Sequence, residues 1–505
     1  MSKVYVDIGK LASTFSGTLW AGTALSAAAA CINPDVLKSP SFVALGAGFA
    51  GLTAADSYLR HFQTQHALLR NFGLFGTLRY FFESFGPEFR QYFVANDQEE
   101  KPFSRNERRA IYRRAHNDTE QTMPFGTQVD LEGRVMFVPS LYPKDPSTIR
   151  PYCATFGEER GISTAYSINH PMMISAMSFG ALGKQAVQAL SHGAREAGIP
   201  LNTGEGGLSK YHLSGGCDII YEMGTAKFGC RNNDSSMNDE KLRALCRHPE
   251  VKMVEIKFSQ GAKPGSGGVL PKEKLTPEIA EAREVPLGHD VVSPVRHVEC
   301  DTPEHTAQFV RRVQDVSGLP VGIKMALAQP AEFRRLVQVM RDTSSLPDYF
   351  VIDGAEGGTG AAPQSFLDSL GIPLFPSLDI VVNILEEEQV RNHVKLVASG
   401  KLATPEQILK GFCYGADAVY VGRGFLFSLG CIQALQCNTN NCPTGITTHD
   451  PKLERGLNVK DKKSKVASYV KNTEKEMYRL LGAAGHDDLR AADKSILHVD
   501  GKPLT

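Results

Sequence analysis

Tyr349-Phe350-Val351-Ile352-Asp353-Gly354-Ala355-Glu356-Gly357-Gly358-Thr359-Gly360-Ala361 is a short apolar run that ends on an acid and opens into a glycine-rich loop. The same phrase recurs along the chain. Met172–Ala176, Pro200–Thr203, Met253–Phe258, Val321–Met325, Val394–Ser399 and Ala418–Gly422 also read as strands. Helical patterns at Lys184–Ala197, Glu304–Val316, Pro330–Arg341 and Pro405–Tyr414 lie between several of them. Such alternation calls for parallel strands joined by crossover helices. Its spacing predicts an α/β fold of the closed (β/α)8, or TIM-barrel, kind. A doubly wound open sheet is the alternative.

The composition fits a large globular chain. Of 505 residues, 42% are hydrophobic and 22% charged, which excludes a mainly disordered protein. Lys+Arg and Asp+Glu both number 55, so bulk charge gives no reason to expect nucleic acid. Ten cysteines in so long a chain do not make a disulfide framework.

In a barrel, chemistry sits at the C-terminal ends of the strands. Those ends read Met177-Ser178-Phe179-Gly180, Gly204-Glu205-Gly206-Gly207, Ser259-Gln260-Gly261-Ala262-Lys263, Ser399-Gly400-Lys401 and Gly422-Arg423-Gly424, with Lys324 near the end of its own strand. One glycine loop would be only a tight turn. Several on one rim, interleaved with Glu205, Gln260, Lys263 and Lys324, predict an active site. The last two loops occupy the usual phosphate position of such barrels. A buried lysine is costly without an anion, so the lysines imply either acidic neighbours or an anionic ligand.

Seven cysteines are scattered, but Cys431, Cys437 and Cys442 form a C-x5-C-x4-C-P run. This spacing points to iron–sulfur ligation. Zinc, with His449 as a fourth ligand, and unliganded thiols are the alternatives.

Near the N-terminus, Leu11–Pro34 and Ser39–Ala55 carry no charged residue, Lys3 and Lys10 precede them, and Arg60, Arg70 and Arg79 follow. The pair reads as a membrane hairpin with both ends in the cytoplasm. Buried helices and a cleaved signal peptide are the alternatives. Gly46-Ala47-Gly48-Phe49-Ala50-Gly51 fits G-x-G-x-x-G, but no acid follows at the spacing a dinucleotide site needs, so helix packing is the expectation. Arg60–Asn96 is amphipathic and basic-aromatic, and suits either a membrane surface or a helix packed on the domain.

Taken together, SAMSFGALG (175–183), NTGEGGLSKYH (202–212), VEIKFSQGAKPGSGGVLP (254–271), SPVRH (293–297), VGIKMAL (321–327), VIDGAEGGTGAAP (351–363), VASGK (397–401), VGRGF (421–425) and GCIQALQCNTNNCPTGITT (430–448) resemble the FMN-binding, synthase domain of glutamate synthase. Stand-alone glutamate synthase-like proteins are the most similar group. The resemblance implies an FMN-binding barrel, a 3Fe–4S cluster and reductive formation of L-glutamate from 2-oxoglutarate or a related 2-oxo acid. It assigns Cys431, Cys437 and Cys442 to the cluster. Met177, Ser178, Gly400, Lys401, Gly422, Arg423 and Gly424 fall to the flavin, and Glu205, Gln260, Lys263 and Lys324 to the substrate and catalysis. The implied organisation is a hairpin anchor at 1–60, a connecting region at 61–150, the barrel with its cysteine segment at 151–450 and peripheral helices at 451–505. The chain opens Met1-Ser2 and not on the nucleophilic cysteine of the family's glutaminase. Nitrogen is therefore expected from free ammonia, another amine or a separate amidotransferase, and electrons from ferredoxin or another donor protein. The expected location is the cytoplasmic side of the cell membrane.

Overall fold

A computed structural model of the chain describes residues 8–118 and 125–504; Lys3, one of the charges flanking the apolar segments, lies outside them. The chain forms two compact units, Met1–Asn106 and Glu107–Thr505.

The first unit is built on two long helices, α1 (Ile8–Ile32) and α2 (Pro40–His61). Ser39 caps α2 and Pro40 sits in its first turn, where a missing N–H costs nothing. The two helices pack as an antiparallel hairpin. Ser16 donates to Asp56 at 2.7 Å, Thr23 and Thr53 pair at 2.9 Å, and Gly46 lies against Ser26. The G-x-G-x-x-G run is thus wholly inside α2, where Gly46 packs on α1 and Gly48 and Gly51 face open space. Asp56 is buried and fully partnered, accepting from Ser16, from Arg60 Nε at 2.8 Å and from the Leu74 N–H at 2.7 Å. Leu11–Ile32 and Pro40–His61, 22 residues each, are long and apolar enough to cross a membrane. Trp20, Leu25, Leu45 and Leu52 are exposed on their outer faces. A further helix, α3 (Thr77–Phe89), exposes Phe81, Phe82 and Phe89.

The second unit is a closed barrel of eight parallel strands. They are β1 (Met172–Ile174), β2 (Leu201–Asn202), β3 (Ile219–Met223), β4 (Val251–Lys257), β5 (Val321–Met325), β6 (Tyr349–Asp353), β7 (Lys395–Ser399) and β8 (Ala418–Val421). Each strand pairs with its sequence neighbours, and Val419–Val421 pair with Met172–Ile174 to close the ring. The expectation of a closed barrel therefore holds, and the open sheet is excluded. β3 is a strand the sequence pattern did not reveal. Its fourth residue, Glu222, cuts the apolar run short, and only a four-residue helix lies between it and β2.

The crossover helices that position the rim include α4 (Lys184–Ala197), α5 (Pro277–Arg283), α6 (Pro303–Ser317), α7 (Pro330–Asp342), α8 (Leu374–Glu387) and α9 (Pro405–Cys413). Local chemistry sets their ends. Thr302 accepts from the His305 N–H to start α6, and Gly198, at φ +72°, stops α4. The last long helix, α10 (Val459–Ala483), packs along α4, where Gly193 makes room for Val466. Val135–Phe137 pairs antiparallel with Leu497–Val499, tying the region before the barrel to the end of the chain.

Inside the barrel, Gly322 of β5 stands beside Tyr349 of β6, and a Cβ at Gly322 would overlap the Tyr349 ring. Both residues are fully enclosed, so the ring has nowhere to retreat. Gly322→Ala is expected to lower unfolding stability by about 1–3 kcal/mol through overpacking. Denaturant melts of the variant test this, and an unchanged midpoint would show that the interior yields.

Candidate active site

Lys257 is the last residue of β4 and reaches the rim. Its Nζ contacts Glu205 Oε2 at 3.0 Å and Gln260 Oε1 at 2.8 Å. Gln260 in turn donates from Nε2 to Thr359 Oγ1 at 3.3 Å. The loop carrying Gln260 is pinned to β6, because the Gly261 N–H donates to Asp353 Oδ2 at 2.7 Å. Asp353 also accepts from Ser399 Oγ at 2.7 Å, so β6, β7 and the loop after β4 share one carboxylate. Glu205, Lys257, Gln260 and Lys263 line one cleft with Ser259 and Thr225.

Arg283, at the end of α5, completes this cluster. It is buried, donates to the Phe179 carbonyl at 3.2 Å and approaches Gly180 and Gly206 closely. Burial pushes the Glu205 carboxyl up, but Lys257, Arg283 and Lys263 outweigh it and hold the group below its ordinary value. Burial lowers Lys263, with Glu205 opposing, and brings Arg283 down to about 10.

The structure thus brings Glu205, Gln260 and Lys263 together, as the sequence predicted. Lys324 sits elsewhere. It is buried inside the barrel, with Nζ 2.9 Å from Glu222 Oε2 and 3.9 Å from Glu255 Oε1. Burial disfavours its charge, yet Glu222, Glu255 and Asp353 together raise its pKa. Lys257 and Arg283 are site residues that the sequence pattern did not single out. Lys257 had a signal, a lysine three residues before Gln260 at a strand end. Arg283 had none, because only folding brings it to Glu205.

Met177 and Ser178 follow β1, where the Met177 N–H donates to the Asn202 carbonyl at 3.1 Å and its carbonyl accepts from His212 Nε2 at 2.9 Å. Ser178 abuts Gly204, which at φ +66° has no room for a side chain. Gly400, at φ +139°, lies against the Gly354 backbone. Lys401 Nζ is 3.2 Å from Glu107, and half-buried Arg423 donates to the Glu356 carbonyl. Gly424 is pressed by the Tyr469 hydroxyl, which makes it a packing glycine.

The three clustered cysteines sense one another electrostatically, yet among the described residues no three His, Cys, Asp or Glu groups converge on a single metal ion. Burial pushes Cys431 up to about 12. At Cys442 burial is outweighed by hydrogen bonds from Thr444 and Thr447, which bring it down to about 7. Lys274 Nζ donates to the carbonyls of Ala181 at 2.8 Å and Cys437 at 3.2 Å, linking the segment to the β1 loop. His449, the alternative zinc ligand, has its Nε2 engaged by the Gly180 carbonyl at 2.8 Å.

Residues 145–487, which contain every one of these rim residues and cysteines, match the model of the conserved region in glutamate synthase. The chain belongs to the glutamate synthase family. The glutamate synthase large subunit-like protein YerD of Bacillus subtilis (strain 168) is 36% identical over 486 residues, covering 87% of this chain and 92% of that protein. An archaeal glutamate synthase [NADPH] of Methanocaldococcus jannaschii is 36% identical over 332 residues, 65% of this chain and 62% of that protein. A solved structure of mandelate oxidase with (S)-4-hydroxymandelic acid has a TM-score of 0.47 at 16% identity, over 79% of this chain and 99% of that one.

Lys257 dominates the charge environment of Glu205, so Lys257→Met is expected to raise the Glu205 pKa. Carboxyl NMR with labelled glutamate reads it. A midpoint that stays put would show that Arg283 and Lys263 suffice.

Proposed function

We propose that the chain is a glutamate synthase-like oxidoreductase that reductively aminates 2-oxoglutarate to L-glutamate, or a related 2-oxo acid to its own amino acid. The observation that carries this reading is the convergence of Lys257, Lys263 and Arg283 on a single carboxylate, Glu205, at the barrel mouth. Three cations around one anion leave the cleft positive, which suits a dicarboxylate. Membership of a family whose relatives bear the name glutamate synthase supports the same reaction class.

The rim also fits FMN. A Cβ at Gly422 would meet only Ser175, and one at Gly360 would meet nothing, so backbone is open to a ligand after β8 and β6. Lys401 and Arg423 add cations at the ends of β7 and β8. Met177, Ser178, Gly400, Lys401, Gly422 and Arg423 would hold the flavin, which supplies hydride when bound, while Gly424 packs beneath them on Tyr469. Cys431, Cys437 and Cys442 would hold the 3Fe–4S cluster.

The chain's own residues position the substrate. Lys263 and Arg283 pair with its two carboxylates. Gln260, held through Oε1 by Lys257, presents Nε2 to the 2-carbonyl oxygen. With its pKa held down, Glu205 is ionised at neutral pH and acts first as a base. It takes a proton from ammonium, so that ammonia attacks the 2-carbonyl, and it gives that proton to the hydroxyl that leaves as water. Ammonia arrives free or from a separate amidotransferase, and electrons from ferredoxin or another donor protein. The 22-residue spans of α1 and α2, each about 33 Å long, match a hydrocarbon core of about 30 Å and anchor the chain on the cytoplasmic side.

The test is anaerobic. The flavin of the purified chain is reduced with dithionite, excess reductant is removed, and 2-oxoglutarate and ammonium are added. Reoxidation that needs both compounds, with glutamate formed, is the expected result; a chain that carries no flavin sinks the reading. For the anchor, membranes from expressing cells are washed with alkaline carbonate. The chain should stay with the lipid, and its release would show a peripheral protein.

A further inference from the structure

The barrel interior contains an acid–base cluster that the reading above leaves largely unused. Glu222 of β3 and Glu255 of β4 are 1% and 0% exposed and occupy directly paired positions. Glu255 Oε1 accepts from Asn202 Nδ2 at 2.9 Å, and Oε2 accepts from the Tyr420 hydroxyl at 2.7 Å. Lys324 of β5 contacts Glu222 Oε2, with Glu255 further off. Tyr349 of β6 faces the cluster and donates to the Val254 carbonyl at 3.2 Å, while Asp353 acts on it through Lys324. Two carboxyls and a single ammonium therefore share a space sealed from water.

One atom is left over. Among the described residues, Glu222 Oε1 is buried with no hydrogen-bond partner. The Glu255 carboxyl stands opposite Glu222 on the adjoining strand. Two ionised carboxylates cannot bond to each other, but one neutral carboxyl donates to the other. A proton on Glu255 fills the orphaned acceptor. It also leaves one negative charge against one ammonium, so the sealed space becomes neutral.

We propose that Glu222 and Glu255 hold a single proton between them at neutral pH and are the internal proton store for the chemistry at the rim. Burial, with Glu222 adding to it against the pull of Lys324, pushes Glu255 up to about 8. The role of the store rests on the proposed reaction. A 2-oxo acid and ammonium become water and an amino acid in its ammonium form by taking up two electrons and two protons. The flavin, when bound, would supply both electrons and one proton to carbon as hydride. The second proton goes to the amino nitrogen. Lys324, in register with Lys257 of the rim, passes it upward as an ammonium N–H breaks. The Glu255 O–H then breaks to restore the ammonium, and Glu255 is re-protonated from the mouth through Lys324 between turnovers. Neither carboxyl touches substrate; both act through Lys324.

Infrared spectroscopy of the full chain, with and without 13C-carboxyl glutamate, reads the proton directly. The expected result is a neutral carboxylic-acid band at neutral pH that shifts with the label and disappears as pH rises through about 8. The band is lost in Glu255→Gln, whose amide still donates to Glu222. Wild-type turnover should fall above about pH 8, and that limb should be absent from Glu255→Gln. Absence of a labelled acid band at neutral pH in the wild type overturns the proposal, whether or not the variants fold. A band that survives in both Glu255→Gln and Glu222→Gln, or an alkaline limb unchanged in Glu255→Gln, overturns it too. A labelled band that behaves as expected in a chain forming no amino acid would count against the reaction and not against the shared proton.

Discussion

The pairing of Val419–Val421 with Met172–Ile174 is the constraint on which the site depends. It turns a row of strands into a ring, and a ring has one mouth. Without it, Met177 and Ser178 after β1 and Gly422–Gly424 after β8 would stand at opposite edges of a sheet. With it, they are neighbours, and the loop after β4 faces the loops after β6 and β7 across the mouth through Asp353. Closure also removes the unpaired edges a long parallel sheet would expose. Its cost is an interior that admits little water, so any charge placed there must be answered by another side chain.

That condition explains how the cations divide. Lys257, Lys263 and Arg283 sit at the rim around one carboxylate, and their excess charge awaits an anion from outside. Lys324 lies deeper, where Glu222 and Glu255 already answer it. The sequence shows all four as charged residues near strand ends or loops and does not tell the two groups apart. The distinction is one of depth, which depends on which way alternate residues of a strand point and on what the neighbouring strands contribute.

Much of the fold was legible because its strands are apolar and its loops are rich in glycine. β5 and β6 were read to the residue, and α4 likewise, since Gly198 marks its end. β3 was missed because Glu222 interrupts the apolar run, and that residue is an acid for the same reason the interior cluster exists. α8 was missed because Leu374–Glu387 opens on Leu-Phe-Pro with no capping side chain. At the site, Glu205, Gln260 and Lys263 were legible as polar residues in glycine-rich loops. Arg283 was not, since nothing near it in the chain announces a partner as remote as Glu205.

The packing of α10 along α4 bears on how the protein is made. A ribosome delivers α4 early and α10 near the end, and β1 likewise waits for β8 before its open side is paired. Gly193 has no cover until Val466 emerges. The growing chain must therefore carry a half-built, sticky sheet through most of its synthesis, and its long-range contacts make for slow completion. The α1–α2 hairpin is bonded to itself through Ser16 and Asp56 and can assemble as soon as both helices have emerged. Early and late segments of this polypeptide thus place opposite demands on the cell's chaperones.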